Sequence, residues 1–151
     1  AVTIDVGDPK DLHPTHKQPI GRRLALAAGT LVYGRPAAEG LSPVPQAHHV
    51  DGAVIRVTFA HAEKGLTTAD QGVPRGFVVA GADGKFFPAE ARIEGDSVVI
   101  QSQSVPAPVA VRYAWADNPD CNLVNAAGLP ASPFRTDDWT TPALAAAAAR
   151  K

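Results

Sequence analysis

The pairing of residue types that could do chemistry comes early in the chain, in Asp11-Leu12-His13-Pro14. An imidazole can deprotonate a hydroxyl nucleophile through one ring nitrogen when a carboxylate holds the other in the right tautomer. A single loop that turns Asp11 and His13 toward each other meets that need. Asp8, five positions before His13, is a second candidate for the acid. An Asp-x-His pair is also common on surface loops, so spacing alone does not separate a triad fragment from an incidental pair. A serine occurs in Gly95-Asp96-Ser97-Val98. A nucleophilic serine in such a block should follow a strand and open a helix. This one lies between Ala91–Glu94 and Val98–Gln101, both strand-like, and reads as a hairpin turn.

The remaining chemistry-bearing residues point less sharply. His48 and His49 are adjacent, so on a strand they face opposite ways and make poor joint ligands, and His16 and His61 have no ligand spacing. Trp115 and Trp139 could stack on a sugar, but Trp115 shares a strand face with Val111 and Tyr113, which favours core packing. Arg135, Asp137 and Asp138 could clamp the terminal loop onto the catalytic layer that carries His13, or form only a solvated ion pair.

The chain has 151 residues, 45% of them apolar, and a net charge of -1. That is enough for one packed domain, or a small domain with a piece of another. Without a basic excess, neither nucleic acid nor a membrane is expected as a partner. The single cysteine, Cys121, is compatible with cytosol or periplasm. No apolar run is long enough to cross a bilayer. The sequence has no methionine and opens on Ala1. The expectation is the C-terminal part of something longer, cut or processed.

"AVTIDV" (residues 1–6), closed by Gly7, Asp8 and Pro9, predicts a strand and a turn. A helix should follow, with Pro19 in its first turn, Ile20, Leu24, Ala27, Ala28 and Leu31 on one face, and Gly34 as its stop. Strand, loop and helix together predict a piece of an α/β layer over residues 1–34, its partner strands lying outside the chain. From residue 35 the pattern changes. After a Pro/Gly-rich crossover, alternation at Ile55-Val57-Phe59, Phe77-Val79, Phe86 to Ile93, Val98-Ile100 and Val109-Val111-Tyr113-Trp115 predicts four to six strands. Ala82-Asp83-Gly84 and Glu94-Gly95-Asp96 are the hairpin signals between them. The expected domain over 35–139 is a small antiparallel β-sandwich whose last part, 117–139, is a long ordered loop returning across the helix after His13. Residues 140–151 form an Ala-rich tail, a weak helix or frayed.

The stretches "AVTIDVGDPKDLHPTHKQPIGRRLALAA", "GFVVAGADGKFFPAEARIEGDSVVI", "VAVRYAWADNP" and "NLVNAAGLPASPFRTDDW" resemble the C-terminal portion of the sialate O-acetylesterase family. These are SGNH-type carbohydrate acetylesterases of the serine hydrolase class. The resemblance runs from about Ala1 to Trp139, and His13-Pro14-x-x-Lys17 and "GLPASPFRTD" are its most distinctive elements. It implies an α/β fragment, the last strand and helix of a flavodoxin-like hydrolase domain, followed by a small antiparallel β-sandwich. It implies His13 as catalytic base and Asp11 as its partner. Many such enzymes space acid and base as Asp-x-x-His, and that position here is Lys10, so the acid stays open between Asp11 and Asp8. Gly95–Val98 resembles a GDSL nucleophile block, but the family places its serine upstream of this region, outside the chain. The implied partners are an O-acetylated carbohydrate substrate and the remainder of the enzyme carrying the serine. No metal or organic cofactor is implied, and the expected location is periplasmic or secreted. The alternative is a non-catalytic β-sandwich module for glycan binding or domain contacts.

Overall fold

The computed structural model describes residues 1–11, 13 and 15–140. Leu12, Pro14 and the tail expected over 141–151 lie outside the described residues.

The alternating runs fold as predicted for a sandwich. β1 (Val44–Asp51) and β2 (Val54–Ala60) form a hairpin closed at Gly52, whose φ of 56° only glycine adopts at no cost. β3 (Leu66–Thr68) is followed by β4 (Phe77–Ala80), β5 (Phe86–Pro88), β6 (Glu90–Glu94), β7 (Ser97–Gln101) and β8 (Ala110–Tyr113). β9 (Leu123–Asn125) and β10 (Phe134–Arg135) end the series. One sheet has the order β1-β2-β7-β6, a second β10-β8-β4-β5, and β3 pairs with β9. All ladders are antiparallel. The inward residues of the two larger sheets meet in one core. Ile55, Val57, Phe59, Val98 and Ile100 come from the first sheet, and Phe77, Val79, Val111, Tyr113 and Phe134 from the second. This is the period-two alternation read from the sequence, now with each apolar face buried.

The expected α/β fragment is not present. Residues 1–6 form turns rather than a strand, with the Val6 N–H donating to the Thr3 carbonyl at 3.2 Å. β-branched residues make a strand only where another backbone offers a ladder. Here the backbone is claimed otherwise: the Arg23 guanidinium donates to the Val2 carbonyl (2.9 Å) and, with both nitrogens, to the Asp5 carboxylate (2.6 Å each). Ile4 instead packs against the sandwich core. The chain is therefore mostly antiparallel β-structure with a helical segment against it.

That segment contains α1 (Gln18–Leu31) and the single turn α2 (Ala37–Gly40). Pro19 lies in the first turn of α1, and Gly34 follows its end at φ 70°, both as predicted. The buried face differs from the predicted one. Of the predicted face Ile20 and Ala27 are half-buried, but Leu24, Ala28 and Leu31 face solvent; Gly29 is buried, and Arg23, Leu26 and Thr30 are half-buried. Close approach decides the orientation: a side chain at Gly40 would collide with the Thr30 hydroxyl and the Leu26 carbonyl, so α2 lies directly on that side of α1. Among the described residues no helix is long and apolar enough to cross a membrane.

The stretch 117–139 is ordered, as expected, and carries β9 and β10, which tie it into the sheets, while Leu129 shares a small pocket with Arg23 and Ala27 of α1. Asn125, buried at 1% exposure, is its anchor. The side-chain amide donates toward the carbonyls of Ala38 (3.3 Å), Leu41 (3.1 Å) and His61 (3.1 Å). Its oxygen accepts from the N–H groups of Ala127 (3.1 Å) and Leu129 (3.0 Å). The second anchor is Asp137, whose side chain is 1% exposed. Arg112 grips it with two hydrogen bonds of 2.8 and 2.7 Å, and Arg135 lies 3.1 Å away. The pairing fastens the segment just after β10 to β8 of the sandwich, while Asp138 stays exposed. The Arg112 hydrogen bonds hold the Asp137 carboxyl below its usual range against the opposing effect of burial.

Two outcomes are expected from these anchors. Asn125→Ala leaves buried carbonyls and N–H groups without partners and should lower unfolding stability by about 3 kcal/mol, read from the denaturant midpoint. Asp137→Asn should cost about 3 kcal/mol at neutral pH, because two arginines lose a buried counter-charge. A depressed carboxyl stabilises the fold above its unfolded pKa and loses that contribution as pH falls through the folded value. The gap between parent and variant should therefore close only below about pH 4.

Candidate active site

The loop after Ile4 is built from short side-chain-to-backbone hydrogen bonds. The Asp8 carboxylate accepts from the Lys10 N–H at 2.8 Å, and Asp8 and Asp11 bridge through their backbones. The Asp11 carboxylate repeats the device one step on, accepting from the His13 N–H at 2.8 Å. Aspartate favours such turns because its side chain reaches the backbone two residues ahead. The same Asp11 oxygen lies 3.4 Å from His13 Nδ1. The structure thus brings together the pair read from the sequence, and of the two candidate acids it is Asp11 that lies beside the imidazole. The His13 side chain is 88% exposed, so Nε2 is open to a group from outside.

Beside this turn lies a groove of about 730 Å³. Asp8, Pro9, Trp115, Asp117, Asn118 and Pro133 are among the residues that line it. Trp115 corrects an expectation. It was placed with Val111 and Tyr113 in the core, yet it is 48% exposed. The cause is Ala114, whose φ of 50° ends β8 and breaks the alternation. The Ala114 N–H donates to the Gly76 carbonyl at 2.9 Å, which fixes that reversal. No local signal in the sequence announces a left-handed alanine. Asp117 and Asn118 were passed over for the same reason, since their role depends on which way the chain leaves β8.

The other candidates stand apart. Ser97 is buried at the start of β7, bonded to Asp96 (2.9 Å) and near Thr58 (3.3 Å), in a hairpin turned by Gly95 at φ 64°. It follows a turn and opens a strand, not a helix. His48 and His49 alternate along β1 opposite Val57 and Arg56. His61 Nδ1 is 3.0 Å from the Ser42 carbonyl, and His16 is exposed. Trp139 packs on Phe86 with centroids 5.7 Å apart, and its carbonyl accepts from Arg135 at 2.7 Å. Among the described residues no three His, Cys, Asp or Glu gather as a metal site. The lowered carboxyl of Asp70, at about 2, has a structural cause: hydrogen bonds from Arg75 and Asn122 tie two loops together. Burial pushes the Cys121 thiol up, the reverse of nucleophile activation.

No family model matches the chain, and no curated protein matches it. Among solved structures, the chain is similar to a carbohydrate acetylesterase from Xanthomonas citri, at 47% identity and a TM-score of 0.87. The likeness covers 92% of this chain and 32% of that one, so the chain spans about a third of the enzyme it resembles.

Proposed function

We propose that this chain is the part of a carbohydrate O-acetylesterase that supplies the general base, in a serine esterase of the sialate O-acetylesterase kind. The observation that carries the reading is the 47% identity, over 92% of the chain, to a carbohydrate acetylesterase. His13 is the base and Asp11 the carboxylate that orients it, while the nucleophilic serine and the oxyanion donors come from outside these residues. The serine hydroxyl attacks the acetyl carbonyl as His13 Nε2 takes its proton. The tetrahedral intermediate collapses, and the imidazolium protonates the departing sugar hydroxyl. Water then attacks the acetyl-serine with His13 again as base, releasing acetate and restoring the serine. Asp11 stabilises the imidazolium in both halves. The chemistry calls for no metal or organic cofactor, and a sugar polymer as substrate suits a periplasmic or secreted enzyme.

A second reading, a glycan-binding module without catalysis, is favoured by the exposure of Trp115. Activity measurements separate the two. The 151-residue chain alone should show no turnover of 4-nitrophenyl acetate above background. In the longer polypeptide carrying the serine, His13→Ala should lower deacetylation by about 10³-fold or more. Asp11→Asn should impair it strongly and Asp8→Asn only mildly. Ser97-dependent turnover by the chain alone, or a near-neutral His13→Ala, would overturn the proposal.

A further inference from the structure

We infer that the outward face of α1 is the docking surface for the part of the esterase that carries the nucleophilic serine, and that this contact sets the distance between that serine and His13. The inference deepens the esterase reading and rests on it for the identity of the partner. Three observations carry it.

The first is that α1 is inverted. A helix lying on a domain surface turns its apolar stripe inward and its charges outward. The only charged residues of α1 are Arg22 and Arg23, and Arg23 is turned inward to Asp5 and the Val2 carbonyl, its side chain 11% exposed. The rows Gly21-Leu24-Ala28-Leu31 and Gly21-Ala25-Ala28-Val32 run at helical spacing, are exposed throughout and hold no polar side chain. Leu31 is 74% exposed, and Tyr33 just beyond it 80%. A helix apolar on both sides is suited to being covered on both sides.

The second is concentration. Single exposed apolar residues are ordinary, and most of those among the described residues are scattered along the chain. Between positions 24 and 33 four large ones occur together, Leu24, Leu31, Val32 and Tyr33. Arg22, Tyr33 and Arg35 are among the residues that line a hollow of about 370 Å³ on the same helix. An apolar patch bordered by arginine and tyrosine has the composition of an interface between protein parts.

The third says what covers the face. The chain spans 32% of the carbohydrate acetylesterase it resembles, so most of that enzyme has no counterpart here. In the esterase reading that remainder brings the serine and must stand against His13, whose side chain is 88% exposed. α1 begins at Gln18, shortly after His13, and the Arg23–Asp5 fork ties it to the residues before the turn. The turn is thereby joined to α1 on both sides, and a body seated on α1 stands in a fixed relation to the imidazole.

The test compares the 151-residue chain with the longer polypeptide carrying the serine by carbene footprinting read in a mass spectrometer. Leu24, Leu31 and Tyr33 should label in the chain alone and about fivefold less, or not at all, in the longer polypeptide. Leu24→Glu with Leu31→Glu should leave the Tm of the 151-residue chain unchanged, because both residues face solvent there. In the longer polypeptide the same pair should lower kcat/KM for 4-nitrophenyl acetate at least about tenfold, mainly through kcat, as the base is no longer held at the serine. Leu24→Met with Leu31→Met should retain most of the activity. Equal labelling of the helix in both proteins, or unchanged kcat with glutamate at both positions, would overturn the inference. So would protection that is lost when the longer polypeptide is diluted from dimer to monomer, which would make a second copy the occupant. Protection in a polypeptide indifferent to His13→Ala would refute the catalytic reading and leave the docking face standing. The reverse result would refute the docking face alone.

Discussion

Asn125 lies where stretches of chain without ladder partners converge. The turn α2, the residue after it, the left-handed His61 and the 126–129 turn all present backbone groups to one buried side chain. Carbonyls and N–H groups in such places must find partners or bear the cost of desolvation. A carboxamide can donate and accept at once, which neither an aspartate nor a leucine can do there. Much of the helical segment's position depends on it. α2 is held to the sandwich through Ala38, Gly40 lets α1 lie directly on α2, and α1 presents Arg23 to the first residues. A contact at the last residue of β9 is thus connected to the N-terminal residues that precede the turn bearing His13.

The sandwich was legible in the sequence because its signals are local. Strands β2 and β6 alternate in burial, and the glycines at 84 and 95 mark left-handed turn positions. β9 and β10 were not visible: at three and two residues they are too short to show a period, and they exist only because β3 and β8 offer ladders. The N-terminal strand failed for the opposite reason. Its residues have strand propensity, but Arg23 occupies the backbone and carboxylate that a ladder would have ordered. For α1 the apolar positions Leu24 and Leu31 pointed away from the face that packs, where Gly40 lets α2 approach Leu26 and Thr30.

The site divides along the same line. Asp11 and His13 were legible because their interaction spans two residues and needs only a turn. The groove was not, because it joins segments more than a hundred positions apart in sequence and turns on the backbone of Ala114. Asp137 shows a third case. Its charge partners were partly named in advance, yet its burial between Arg112 and Arg135 depends on how β10 closes against β8.

The fork between Arg23 and Asp5 bears on how freely His13 moves. It joins positions 18 apart in sequence, so it closes the base of a loop whose tip carries the imidazole. A base on a closed loop samples a smaller volume than one on an open tether, and its effective concentration at any fixed nucleophile rises accordingly. In the proposed mechanism the guanidinium would act on reaction probability through chain entropy, from a place where it does not touch the imidazole.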